Sequence, residues 1–156
     1  MPSADLIIYF GTVTGNAESL ALRAQERAQA SGLSAELVNL AEIGPDQLIR
    51  EGYALFFVST WGDGEPPMDV DTFYYDLEAA DIDLSQLSYA MFGLGDSDYP
   101  EFNGFARNLD ERLASFGAQA LYPRAEADVF FDDTYAEWEA GIFPLLEEQL
   151  ALAATA

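Results

Sequence analysis

Apolar runs and amphipathic stretches alternate five times along this chain, and that alternation constrains its fold more than any other feature. Leu6 to Phe10 is continuously apolar, as suits a strand covered on both faces. Asn16 to Ala30 has helical spacing: Leu20, Ala21, Ala24 and Ala28 share a face, Arg23 and Arg27 lie off it, and Ser31-Gly32 stops it. Ala35 to Leu40 reads as a second strand, and Gly44-Pro45 opens a short helical piece through Arg50. Tyr53 to Ser59 is a third strand, followed by a helix over Val70 to Glu78. Leu87 to Leu94 is a fourth, followed by a helix over Asn103 to Phe116 with Phe105, Ala106, Leu109 and Leu113 inward. Ala118 to Tyr122 is a fifth, limited by Pro123. Asp132 or Asp133 caps a last helix whose inner face uses Trp138, Ile142, Leu145 and Leu146. No linker, repeat or low-complexity segment divides the chain, so residues 1–156 are expected to form one α/β domain, a doubly wound parallel sheet with helices on both faces.

In such sheets ligands sit beyond the carboxyl ends of the strands, at the switch point of strand order. Three loops of unusual composition follow strands one, three and four, and so converge there. The first is Gly11-Thr12-Val13-Thr14-Gly15-Asn16-Ala17. Its amides and the helix that follows can make an anion site, with hydroxyl donors from Thr12 and Thr14. It lacks the Lys of a nucleoside-triphosphate loop and the glycine spacing of a dinucleotide loop, so a phosphate held by amides and hydroxyls alone points to a monoester. Taken alone, the loop is read equally well as a plain strand-to-helix turn with Asn16 as N-cap. The other loops, Thr60-Trp61-Gly62-Asp63-Gly64-Glu65-Pro66-Pro67 and Gly95-Asp96-Ser97-Asp98-Tyr99-Pro100, each carry one aromatic among small polar residues. Trp61 and Tyr99 flanking a cleft beside a phosphate cradle point to a flat ring between them. Gly62, Gly64 and Gly95 let backbone groups reach the ring edge.

Composition removes other chemistries. The chain has no Cys and no His, which excludes disulfides, thiol catalysis, imidazole acid–base catalysis and the usual zinc ligands. No metal site is expected. Its formal charge of −22 argues against nucleic acid and anionic membranes and favours basic protein partners; a solubility adaptation to salt is the other reading, and the two can coexist. Met1 to Asp5 has neither the basic nor the apolar part of a secretion signal, and no apolar run is long enough to span a bilayer, so a cytoplasmic protein is expected. Met1 and the tail Ala151 to Ala156 point to a complete chain.

Gly11 to Asn16, Ser59 to Asp63 and Gly93 to Tyr99 resemble the three FMN-binding loops of flavodoxins, in order and spacing across nearly the whole chain. The length and an uninterrupted fifth strand resemble the short-chain branch. Glu101-Phe102-Asn103 is also similar to the FMN domains of diflavin reductases. The resemblance implies a five-stranded sheet of order 2-1-3-4-5 holding FMN non-covalently. Thr12, Val13, Thr14, Gly15, Asn16 and Ala17 would hold the phosphate. Ser59, Thr60, Trp61, Gly62 and Gly64 would line one side of the isoalloxazine. Leu94, Gly95, Asp96, Tyr99, Phe102 and Asn103 would line the other, with Tyr99 stacked on the ring and Asp128 nearby. Val13 and Ala17 stand where many flavodoxins have hydroxyls, which removes two phosphate donors unless amides compensate.

The function implied is a low-potential electron carrier between a reductase and an acceptor, with no catalytic side chain. Asp63, Glu65, Asp69, Asp71, Asp96, Asp98 and Glu101 would form an acidic rim for the basic docking face of a flavodoxin/ferredoxin-NADP reductase or similar donor, and for redox acceptor proteins. The carrier is expected to be monomeric. Two rivals share the scaffold: an FMN-dependent quinone or azo reductase, and a donor dedicated to one biosynthetic enzyme. A signalling receiver domain shares the strand order but needs a Lys, and this chain has none.

Overall fold

A computed structural model describes residues 5–11, 15–49, 52–60, 70–95, 103–128 and 130–155. The elements are β1 Leu6–Gly11, α1 Asn16–Ala30, β2 Ala35–Asn39, two 3-10 turns at Leu40–Glu42 and Pro45–Leu48, β3 Gly52–Ser59, α2 Asp71–Ala79, β4 Leu87–Leu94, α3 Gly104–Ser115, β5 Gln119–Ala120, β6 Ala125–Ala127 and α4 Asp132–Thr155. The pairings are parallel, and the strand order is β2-β1-β3-β4-β5, with β6 also paired to β4.

Alternate residues of a strand face opposite sides of the sheet, and here both sides are apolar. Ile8, Phe10, Leu55, Phe57, Ala90 and Phe92 face α1 and α4. Tyr9, Ala54, Phe56, Val58, Tyr89 and Met91 face α2 and α3. Ala17, Ala21, Ala24 and Ala28 line the buried face of α1, and such small side chains let that helix lie close to the sheet. On α4, Trp138, Ile142 and Leu146 are buried as expected, while Leu145 is half-buried. Arginines stitch α1 to α4: Arg23 pairs with Asp132 at 2.9 Å and lies over the Tyr135 ring, and Arg27 pairs with Glu147 at 3.1 Å and lies over Phe143.

The fifth strand differs from the expected uninterrupted one. It is in two pieces, because four residues, Leu121 to Arg124, stand opposite only Ala90 and Met91 of β4. Pro123 has no amide to give a ladder, and the surplus residues loop out. Arg124 ties the loop back, to Asp110 of α3 at 2.7 Å and to Glu126 at 3.0 Å, while the Tyr89 hydroxyl donates to Asp110. At α1 the N-cap is Gly15, in a left-handed conformation (φ 91°), and Asn16 is the first helical residue and not the cap.

Burial, reinforced by the bond to Asp110, pushes the Tyr89 phenol well above its ordinary value, and burial does the same to Tyr135. A neutral acid with a raised folded pKa contributes stability that is complete below the unfolded value and lost as pH rises past it. Stability in urea should therefore fall above about pH 10, by up to about 1.4 kcal/mol per pH unit for each of the two phenols. The double variant Tyr89→Phe/Tyr135→Phe should flatten that limb, and an unchanged limb would contradict the assignment.

Candidate cofactor site

The carboxyl ends of β1, β3, β4 and β6 meet on one edge of the sheet, on either side of the switch from β1-β2 to β1-β3. β1 ends at Gly11, where a Cβ would stand 3.0 Å from Val70 just before α2. Gly15 then opens α1, and among the described residues nothing lies within 4 Å of where its Cβ would stand. The positive end of a 15-residue helix therefore faces this edge through a glycine. Asn16 is exposed, whereas Ala17 is buried in the core beneath α1. A hydroxyl at position 17 would start from that buried position.

β3 and β4 run side by side to their last pair, Ser59 and Leu94, so the loops after them leave from adjacent positions. Ser59 is buried and Leu94 points into the core. The Thr60 amide donates to the Leu94 carbonyl at 3.0 Å, and its Oγ1 accepts from the Phe105 amide at 3.2 Å. That bond satisfies one of the free amides of the first turn of α3. The Gly95 amide donates to the Ala127 carbonyl at 2.9 Å, and Asn103 Nδ2 donates to the same carbonyl at 3.1 Å. Asp128 follows directly. Thr60, Gly95 and Asp128 are thus the first residues of three loops, all anchored around the N-terminus of α3.

Asn103 itself is wholly buried and holds a left-handed backbone (φ 56°). Its Oδ1 is a buried acceptor without a hydrogen-bond partner. A Cβ on Gly93 would lie 2.5 Å from that oxygen and 2.6 Å from the Ala106 Cβ. Gly93→Ala should therefore cost about 1–3 kcal/mol through overpacking, read as a lower urea midpoint at unchanged slope. A midpoint equal to wild type would mean that α3 can move away from β4.

Thr12, Val13, Thr14, Trp61, Gly62, Gly64, Asp96, Tyr99 and Phe102 lie outside the described residues. So do Asp63, Glu65, Asp69, Asp98 and Glu101 of the expected rim, whereas Asp71 is described and exposed. Gly93, which the sequence placed in the third loop without a role at the ring, and Ala127, which it did not mark, form part of the loop anchorage. The Gly93-Leu94-Gly95 spacing was the available signal for the first of them, and nothing in sequence marks a carbonyl such as that of Ala127. Among the described residues no cluster of acids could hold a metal ion. No described helix is long and apolar enough to cross a membrane.

The described framework suits a flat, phosphorylated ligand: a helix N-terminus reached through a glycine for the phosphate, and adjacent loop starts from β3 and β4 for a ring. The family model for flavodoxin matches residues 8–138. The sulfite reductase [NADPH] flavoprotein alpha-component of Photobacterium profundum is 33% identical over 96% of this chain, which covers 25% of that protein. The NADPH–cytochrome P450 reductase of Oryctolagus cuniculus is 30% identical over 97% of this chain, covering 23% of it. The chain thus spans about a quarter of the length of the curated relatives it matches. A flavodoxin from Streptococcus pneumonia TIGR4 superposes with a TM-score of 0.77 at 26% identity, over 95% of this chain and 98% of that one. A mutant flavodoxin from Pseudomonas aeruginosa gives 0.76 at 29% identity, over 91% and 98%. This chain belongs to the flavodoxin family, with the FMN-binding electron-transfer fold.

Proposed function

We propose that residues 1–156 act as one free carrier module that holds FMN and passes electrons from a reductase to an acceptor protein. The convergence of three loop starts on the N-terminus of α3, beside the glycine-opened N-terminus of α1, carries this reading. FMN is the cofactor of the family, and when bound it supplies one-electron redox chemistry. Residues 12–17 hold the phosphate through amides, the Thr12 and Thr14 hydroxyls and the helix end. Ser59, Thr60, Trp61, Gly62 and Gly64 form one wall for the ring. Leu94, Gly95, Asp96, Tyr99, Phe102 and Asn103 form or support the other, with Asp128 beside it. The protein's part is to bind, orient and screen from water, so no side chain serves as acid, base or nucleophile, and the module has no small-molecule substrate of its own.

Charge favours docking to a basic partner. Arg23, Arg27 and Arg124 are paired with acids of the same chain, and Arg112 caps α2 by donating to the Leu77 and Glu78 carbonyls. These cations are committed internally, and the chain as a whole carries a net −22, which favours a partner with a basic face. The carrier is a cytoplasmic monomer that makes small, transient contacts.

The FMN-loaded chain should show no sustained turnover of NADPH with a quinone by itself. Adding a ferredoxin-NADP reductase and the basic haem protein cytochrome c should start electron flow, at a rate that falls steeply from low to physiological salt as the Debye length shrinks to about 8 Å. Turnover without added reductase would favour the quinone-reductase reading, and a salt-independent rate would remove charge from docking.

A further inference from the structure

We infer that Asn103 is a positioning residue for the cofactor loops: its side-chain amide fixes the ends of β4 and β6 against the first turn of α3, and that spacing sets the affinity for FMN. The inference rests on the FMN reading above. Asn103 has no exposed atom to offer a ligand in this conformation. Its Nδ2 donates to the Ala127 carbonyl at 3.1 Å, the same carbonyl that takes the Gly95 amide at 2.9 Å. One acceptor thus joins the loop after β4, the loop after β6 and the helix.

The geometry is made for this side chain. A Cβ on Gly93 would stand 2.5 Å from Asn103 Oδ1, and one on Gly95 would stand 3.2 Å from Asn103 Nδ2, so glycine at both positions makes room for the side chain. The backbone sits at φ 56°, which glycine would adopt at less cost. The buried Oδ1 has no partner, which an apolar residue would avoid. An asparagine that carries both penalties is explained by what its other end does, namely the bond from Nδ2. Two residues on, the Phe105 amide holds Thr60 Oγ1, so the same helical turn grips the loop after β3 as well.

The test compares FMN affinity, by fluorescence quenching on apoprotein shown to be folded by circular dichroism, in two variants. Asn103→Gly keeps the left-handed backbone and deletes the amide, and its Kd should rise about tenfold. Asn103→Asp keeps the shape but sets a carboxylate oxygen against the Ala127 carbonyl at pH 8. As pH falls, the acid takes up a proton and can donate to that carbonyl, so its affinity relative to wild type at each pH should recover. Among the described residues the charged neighbours are Asp128, next to Ala127, and Arg107, whose backbone amide donates to the Asn103 carbonyl; every charged group other than position 103 is common to variant and wild type, so the ratio isolates position 103. A merely space-filling role predicts no such recovery. A folded Asn103→Gly within twofold of wild type, or an Asn103→Asp deficit independent of pH, would overturn the inference. If Asn103→Gly does not fold, the pH profile of Asn103→Asp decides. Wild type that takes up no FMN would instead overturn the function reading, and this inference with it.

Discussion

The double variant Trp61→Ala/Tyr99→Ala is expected to bind FMN about 30-fold to 10⁴-fold more weakly than wild type. The estimate takes about 1–3 kcal/mol for each stacked ring face, with tenfold in affinity for each 1.4 kcal/mol. Its structural basis is the anchorage of both loops. The loop carrying Trp61 begins at Thr60, held by Leu94 and Phe105, and the loop carrying Tyr99 begins at Gly95, held by Ala127. Both leave the sheet from adjacent strands, on the edge that the N-terminus of α1 also faces. The phosphate loop is untouched in the variant, so FMN should still bind more tightly than riboflavin. Titration of apoprotein with each flavin measures both effects. A loss of less than threefold would remove the two aromatics from the ring's faces.

Phe57→Ala is the change expected to cost the fold most, at about 3–5 kcal/mol. Phe57 is wholly buried in β3, with its ring centroid 5.7 Å from Phe92, 6.1 Å from Tyr135 and 5.3 Å from Trp138. Removing it opens a cavity among three rings that belong to β4 and α4, which the neighbouring side chains can close only in part. Against a typical stability of about 5–15 kcal/mol the loss is large. FMN binds only the folded chain and should restore about 2.7 kcal/mol at a free concentration of 100 times its Kd. Urea unfolding of the apo and loaded forms reads both numbers. A cost below about 1 kcal/mol would mean that the ring cluster repacks.

The strands of this fold are legible because both faces of the sheet are covered, so β1 appears as an unbroken apolar run and β3 and β4 as largely apolar ones. The helix faces are legible from spacing, as with Phe105, Ala106, Leu109 and Leu113 of α3. The split between β5 and β6 was hidden, because Ala118 to Tyr122 has strand composition and only Pro123 marks the break. Whether a surplus of residues loops out depends on the register against β4, which no local pattern records. The same holds for the cap of α1: Asn is the better side-chain cap in isolation, but the chain turns through a left-handed residue there, and glycine takes it. Asn103 was placed beside the ring by resemblance. Its burial, its left-handed backbone and its bond to Ala127 depend on contacts 24 residues apart, beyond the reach of periodicity. The pairing of Arg23 with Asp132, 109 residues away, was illegible for the same reason.

A reductive titration of the FMN-loaded protein, followed by its visible absorbance, is the decisive test of whether this chain carries electrons on FMN. The acidic character of the chain opposes a second negative charge on the ring and so predicts two resolved one-electron steps. A chain that retains no flavin, or one reduced in a single two-electron step, would contradict it.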